Sequence, residues 1–545
     1  MRLLFYTISL AFLFSNCFRK ESVDLILHNA SIVSIDPMNN IYEAMAVHDG
    51  KIIALGKENQ ILNKYCSSKT IDLKSNYLYP GFIDAHCHFL TYGIEENQIN
   101  LKGCVSFNEV IKRCLDYNKN SEWIIGNGWD QNLWESNSFP NKNILDSLFP
   151  NNPVALYRVD GHALLANQKA LNLAGITTET KIQGGHIEII NNKLTGILVD
   201  NAMNFIASAI TEPSENEKTR ALLLAQKNCL AHGLTTVDDA GLNKKDIFLI
   251  DKLHQSGDLK IRIYAMLSDN KENFDYFIDS LKKPFTTERL SVRAFKFYSD
   301  GALGSRGACL IKPYSDVNDS SHFGMLLNTI DHFKESAKKL YNCDYQMCTH
   351  AIGDSAARTI LNIYGNILKD INDKRWRLEH AQVINENDFP LFRKYSIIPS
   401  VQPTHATSDM LWAILRLGNK RIKNSYAYGK LLYQNGSIAL GTDFPIENIN
   451  PIHTFYAATA RKNLNGQPKN GFQIENALTR LEALKGMTIW AAISNFEENV
   501  KGSIEIGKAA DMVVLDKDLI SIEEDEILET KVLYTFVAGE QVYNN

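Results

Sequence analysis

Eight short apolar segments constrain the fold of this chain more than any other feature. They lie at residues 81–86, 234–238, 261–267, 292–298, 346–350, 377–382, 397–402 and 438–443, and helical patterns such as residues 217–231 separate most of them. Short apolar runs suit strands buried on both faces, and their alternation with helices points to a parallel sheet. Eight such units imply a TIM-like (β/α)8 barrel, an α/β fold whose functional residues gather at the C-terminal strand ends. The interval at about residues 89–231 is too long for one crossover, so it reads as an insertion that can serve as a lid over the barrel mouth.

Both chain ends carry a different pattern. Residues 23–30, 44–48 and 51–56 read as strands, the last two joined through Asp49-Gly50, where glycine takes positive φ without steric cost. Similar segments return at residues 502–508, 511–515 and 531–537. They predict a small β-sandwich domain built from residues 23–80 and 496–545, leaving 81–495 to the barrel. At 545 residues, 45% hydrophobic and 22% charged, the chain is long enough for both. The formal net charge of −5 is mild, and no block of lysine or arginine suggests a nucleic-acid partner.

Arg2 precedes an apolar run from Leu3 to Phe14, followed by Ser15-Asn16-Cys17. The run falls short of the roughly 18–20 residues that cross a bilayer and reads as the core of a signal peptide over residues 1–22. A cysteine just behind such a core resembles a bacterial lipoprotein signal, although Leu13 lies one place too far upstream and Asn16 is uncommon there. Cys17 is thus the expected lipidation site, and the expected location is exported and membrane-anchored. An ordinary cleaved signal, or a cytoplasmic chain with an apolar terminus, is the alternative. The other cysteines show no C-x-x-C spacing and read as buried free thiols.

Residues with metal chemistry sit on the barrel segments, most of them at C-terminal ends. In His86-Cys87-His88 the two histidines share one face of a strand and can grip a divalent ion together. Lys296 lies on the fourth segment, His350 closes the fifth, His380 lies on the sixth and Asp443 closes the eighth. A single histidine at a strand end is more often structural. Four histidines and an aspartate converging on one rim read as a metal site. Lys296, flanked by Phe295 and Phe297, would be costly to bury as a cation. A neutral amine there can add carbon dioxide and become an anionic carbamate. The other reading is a cation that contacts substrate or pairs with Asp300.

Taken together, these motifs resemble the amidohydrolase superfamily, and more closely its family 3 branch, which includes N-substituted formamide deformylase. The matching runs include Pro80-Gly81-Phe82-Ile83-Asp84-Ala85-His86-Cys87-His88, Gly128-Trp129-Asp130-Gln131-Asn132-Leu133-Trp134 and Asp300-Gly301-Ala302-Leu303-Gly304-Ser305-Arg306. They continue in His350-Ala351-Ile352-Gly353-Asp354, Glu379-His380-Ala381-Gln382 and Gly441-Thr442-Asp443-Phe444-Pro445. Gly307 departs from the threonine that commonly follows the Ser-Arg pair in this branch.

The resemblance implies one or two divalent ions, with zinc the expected metal. His86 and His88 would hold the more buried ion, and His350 and His380 the more exposed one. Carboxylated Lys296 would bridge them and Asp443 would contact the first. The implied reaction is hydrolysis of a non-peptide carbon–nitrogen bond of the amide or formamide type, by a hydroxide generated at the metal. Asp443 would take the proton from that hydroxide and pass it to the leaving nitrogen. Trp129 and His162 in the insertion, and Arg306 and His405 after the fourth and seventh segments, are the candidate substrate contacts. The expected partner is a small-molecule amide, and a homo-oligomer is compatible with the sequence. A lactone or phosphoester hydrolase on the same site, and a membrane-anchored binding protein without catalysis, are the rival readings.

Overall fold

The computed structural model describes residues 20–117, 122–317 and 321–545. The leader, with Cys17, lies almost wholly outside the described residues. Among the described residues no helix is long and apolar enough to cross a membrane. The eight described cysteines are all unpaired, and Cys87, Cys104, Cys114, Cys229 and Cys348 are buried.

The eight apolar segments form the barrel strands β1 (Phe82–Cys87), β2 (Leu234–Leu242), β3 (Arg262–Ser268), β4 (Leu290–Tyr298), β5 (Gln346–Ala351), β6 (Arg377–His380), β7 (Ile398–Val401) and β8 (Ala439–Leu440). They pair in chain order, every neighbour parallel. No ladder joins β8 to β1. Hydrogen bonds to the segment that follows β8 close the ring instead: the Asp443 N–H donates to His86 O at 2.7 Å, and the His88 N–H to Phe444 O at 2.8 Å. Asp84 pins the same seam, accepting from Thr442 N at 3.0 Å and Thr442 Oγ1 at 2.7 Å.

Three strands, β6, β7 and β8, are shorter than the apolar pattern predicts, and at β6 and β8 the backbone shows why. His380, Ala381 and Asp443 have φ of 68°, 42° and 61°. A side-chain-bearing residue in that region has left the pleat, so β6 ends at His380 and β8 ends before Asp443. Such conformations cost free energy and persist where the surroundings over-determine them, often at functional positions.

The chain ends form two larger sheets, beside a two-stranded one of Glu21–Ser22 and Tyr65–Cys66. One joins Lys51–Gly56, Ala44–His48, Leu25–His28 and Thr70–Asp72, and the other joins Glu540–Asn544, Val532–Val537, Met512–Leu515, Tyr77–Pro80, Ser31–Val33 and Ile41–Tyr42. Leu27, Met45, Leu78, Met512, Val514 and Phe536 share one core between them. The C-terminal strand Met512–Leu515 pairs antiparallel with Tyr77–Pro80, which runs through Gly81 straight into β1. The sandwich thereby sets how the His86 strand enters the barrel. A buried ion pair, Arg262 Nε to Asp511 Oδ2 at 2.6 Å, ties β3 to it.

The insertion folds around a six-stranded sheet of its own, with strands Ile99–Asn100, Ile124–Trp129, Val154–Arg158, Ala163–Ala166, Lys193–Asp200 and Gly185–Ile190.

Gly441 lies on the closing seam, where an added Cβ would come 2.5 Å from His86 N and 2.9 Å from Asp84 Oδ1. Overpacking of this kind costs about 1–3 kcal/mol. Gly441→Ala is expected to lower the thermal unfolding midpoint measured by circular dichroism; an unchanged midpoint would show that the seam has slack.

Candidate metal centre

The barrel topology brings all six expected ligand residues to one place. His88 Nε2 lies 3.2 Å and His86 Nε2 3.6 Å from Asp443 Oδ1. Lys296 Nζ, from β4, lies 3.0 Å from His86 Nε2. The His380 ring is 4.9 Å from that of His86 and 4.5 Å from that of His350. His86, His88 and Asp443 together present atoms close enough to share one ion, as do His380, His405 and Asp443.

The donor set fits a divalent cation. Asp443 Oδ1 and His350 Nε2 are buried without a hydrogen-bond partner, a costly state unless something further binds there. The imidazoles are held in the ligating form. Burial, aided by Lys296, pulls the His86 imidazolium down to about 4. Burial and neighbouring cations push His350 and His380 well below the usual histidine range. Neutral imidazole is the form that binds metal. Burial also lowers Lys296 to about 8, against the pull of Glu379 and Asp443.

A second layer of residues aims these groups. His86 Nδ1–H donates to Glu379 Oε2 at 2.5 Å, which leaves Nε2 facing inward. His380 Nδ1–H donates in the same way to Gln402 Oε1 at 2.8 Å. Such outer partners fix the tautomer of a ligating histidine and raise its basicity. Glu379 is itself held by Arg377, whose Nε donates to Oε1 at 2.7 Å. Arg377 also reaches Asp238 Oδ2 at 2.9 Å, Ser400 Oγ at 2.9 Å and the Ala85 carbonyl. Burial would raise the Glu379 carboxyl, but Arg377, His86 and Lys296 outweigh it and keep the group ionised.

Arg377 and Glu379 were not among the residues expected from sequence. A signal for them existed: two charges spaced by two in a short buried strand, ending at a candidate ligand. What was invisible was the partner, since His86 lies 293 positions away.

The remaining expectations divide. Lys296 faces His86 and not Asp300, whose carboxylate accepts from the backbone N–H groups of Ile352, Gly353 and Cys309 at 3.0, 2.8 and 2.8 Å. His162 and His405 line one cavity with the metal-site residues. His162 Nδ1 lies 2.7 Å from Asp200 Oδ1, and its ring is 5.1 Å from that of His350. Gly307 gives Asp200 its room: a Cβ there would meet Asp200 Oδ2 at 2.4 Å. Trp129 is not at the cavity. Its ring stacks on Trp134 inside the insertion, 5.9 Å between centroids, and its Nε1–H donates to Leu156 O at 2.7 Å. Arg306 also turns away, pairing with Asp316 at 2.8 Å.

Comparison with known proteins agrees with this geometry. The family model described as "Amidohydrolase family" matches residues 69–543. The chain belongs to the amidohydrolase family. Protein LONG AFTER FAR-RED 3 of Arabidopsis thaliana is 30% identical over 541 residues, covering 95% of this chain and 91% of its own. N-substituted formamide deformylase of Arthrobacter pascens is 26% identical over 542 residues, covering 95% and 97%. An uncharacterized metal-dependent hydrolase from Pyrococcus horikoshii superimposes with a TM-score of 0.75 at 26% identity, covering 92% of this chain and 98% of that one. This amidohydrolase-family chain is therefore a hydrolase of that superfamily, with its candidate divalent-metal site at His86, His88 and Asp443.

Removing the negative charge behind His86 is expected to weaken the metal without emptying the barrel. Glu379→Gln should lower divalent-metal affinity about 10- to 100-fold, as partners of ligating histidines do elsewhere. Competition with a chromophoric chelator measures it; equal affinity would deny Glu379 its supporting role.

Proposed function

We propose that this protein hydrolyses a non-peptide carbon–nitrogen bond, of the amide or formamide type, in a small molecule. Asp443 carries the reading. Its carboxylate is buried, yet Oδ1 faces the imidazoles with no hydrogen bond, while Oδ2 accepts from His405 Nε2 at 3.2 Å. Burial would raise Asp443, but the contacts with His405 and His88 hold it well below the usual carboxylate range. An ionised carboxylate held in this way can contact a cation and also take a proton and give it back.

Zinc, suited to nitrogen and oxygen donors, would supply Lewis acidity towards a carbonyl and a nucleophile at neutral pH. His86, His88, His350, His380 and Asp443 would hold it. Lys296, buried and readily neutral, can add carbon dioxide: its nitrogen bonds the carbon and loses a proton, so a cation becomes an anionic ligand. His405, wedged between Asp443 and Glu447 with its Nδ1 at 3.4 Å from Glu447 Oε1, keeps Asp443 from swinging. Asp443 then accepts the proton of the attacking water and delivers it to the leaving nitrogen. The resemblance to N-substituted formamide deformylase supports the bond class. The sequence of the leader, with Cys17 behind its apolar run, supports placing the reaction in an exported enzyme held on a membrane by lipid.

A panel of N-substituted formamides and other amides, set beside lactones and phosphotriesters, tests this on zinc-loaded protein. Amide turnover is expected, with Asp443→Asn lowering kcat by about 10²- to 10⁴-fold, the usual worth of a general acid–base group. Equal rates in the two proteins would remove Asp443 from its role, and turnover of lactones alone would move the enzyme to another bond class.

A further inference from the structure

The cavity holding the metal-site residues has a volume of about 1060 Å³. That slightly exceeds the usual range for small-molecule sites, roughly 300–1,000 Å³, and far exceeds the needs of a formamide group. One end is deep, for His350, His380 and Asp443 are all buried. The other end is open, because Leu133, Leu411 and Leu415 line the same cavity while 48%, 70% and 58% exposed. Single exposed leucines mean little, but three meeting at the rim of one cavity do not fit that description. They come from separate parts of the chain. Leu133 ends the short helix Gln131–Leu133 of the insertion, whereas Leu411 and Leu415 are one turn apart on the helix Pro403–Arg421. The wall of the same cavity includes Ile94, Ile125, Tyr157, Met203, Trp412 and Ile446.

Outside the metal site, the two cations on this wall, Arg158 and Lys102, already have partners. Arg158 pairs with Asp130 and Asp160, both at 2.5 Å. Lys102 donates to the Pro445 carbonyl, with the carboxylates of Glu95 and Glu447 in range of its charge. Glu447 in turn holds His405 and Ser408. Arg158 is taken up by its own two carboxylates, and the charge of Lys102 is offset by the carboxylates around it.

We propose that the substrate carries a long, uncharged apolar chain, which runs from the reacting amide along this wall and leaves between Leu133, Leu411 and Leu415. The proposal rests on the amide-hydrolase reading and adds the substrate class to it. The leucines serve the substrate rather than a partner protein because they are continuous with the cavity that ends at Asp443. The chain can belong to the acyl side or to the amine side, and the test separates these.

Two homologous series, N-alkylformamides and N-acyl methylamines, are assayed on zinc-loaded protein below their micelle concentrations. In at least one series kcat/KM should rise roughly three- to fourfold for each added methylene that becomes buried. Whichever series rises names the side that occupies the wall. A chain of the same length ending in a carboxylate should be worse than its uncharged counterpart. The double variant Leu411→Asp with Leu415→Asp, both on the surface, should flatten the dependence on chain length. Flat or falling values in both series overturn the proposal, as does a carboxylate-ended chain that performs best. If no member is hydrolysed, the amide reading falls by itself. Calorimetric dissociation constants for the same compounds then decide: tightening per methylene supports the apolar wall, and equal constants overturn it.

Discussion

The hydrogen bond from the Asp443 N–H to the His86 carbonyl, 2.7 Å long, is the joint on which the structure turns. It closes a barrel whose first and last strands share no ladder. The two residues that make it are also the ones whose side chains face each other across the candidate metal site. Closing the fold and assembling the site are therefore one event. Gly441 permits the approach by having no Cβ, and Asp84 reinforces it from the side. The positive φ of Asp443 follows from the same geometry, since its backbone must reach His86 while its carboxylate turns inward.

Around this seam the barrel accepts an unusual amount of buried charge. Arg377, Glu379, Asp238 and Asp84 are all fully or almost fully buried. Isolated, each would be prohibitively costly. Linked, Arg377, Glu379 and Asp238 form a scaffold in which Arg377 satisfies two carboxylates and Glu379 passes its negative charge to the back of His86, while Asp84 is held by Thr442 and the His86 N–H. The scaffold orients imidazoles more than it adds stability, since a buried ion pair contributes little net free energy once desolvation is counted. It also explains why His86 can stay neutral and still present Nε2 in one direction.

How much of this was legible in the sequence depended on the range of the interaction. Alternation along a strand put His86 and His88 on one face, and strand ends located His350 and Asp443, because these are local regularities. The barrel followed from repeating units, and the terminal sheets from hairpin chemistry at Asp49-Gly50. The Glu379–His86 pair was not legible, as it joins residues on β6 and β1 that no spacing rule connects. Trp129 misled for a related reason: an aromatic beside a loop motif reads as a ligand contact, whereas its indole fills the insertion's own core against Trp134. Arg306 was drawn off by Asp316, ten positions on, a pairing that depends on how that loop folds back. Gly307, conspicuous as a departure, turned out to make room for Asp200 behind His162.

The central claim is that these side chains form one metal site, and anomalous diffraction from crystals grown with zinc tests it most directly. Data collected on either side of the zinc absorption edge should give a difference peak at bonding distance, about 2.0–2.2 Å, from nitrogen atoms of His86 and His88 and an oxygen of Asp443. Strong zinc peaks elsewhere with none at this cluster would contradict the account.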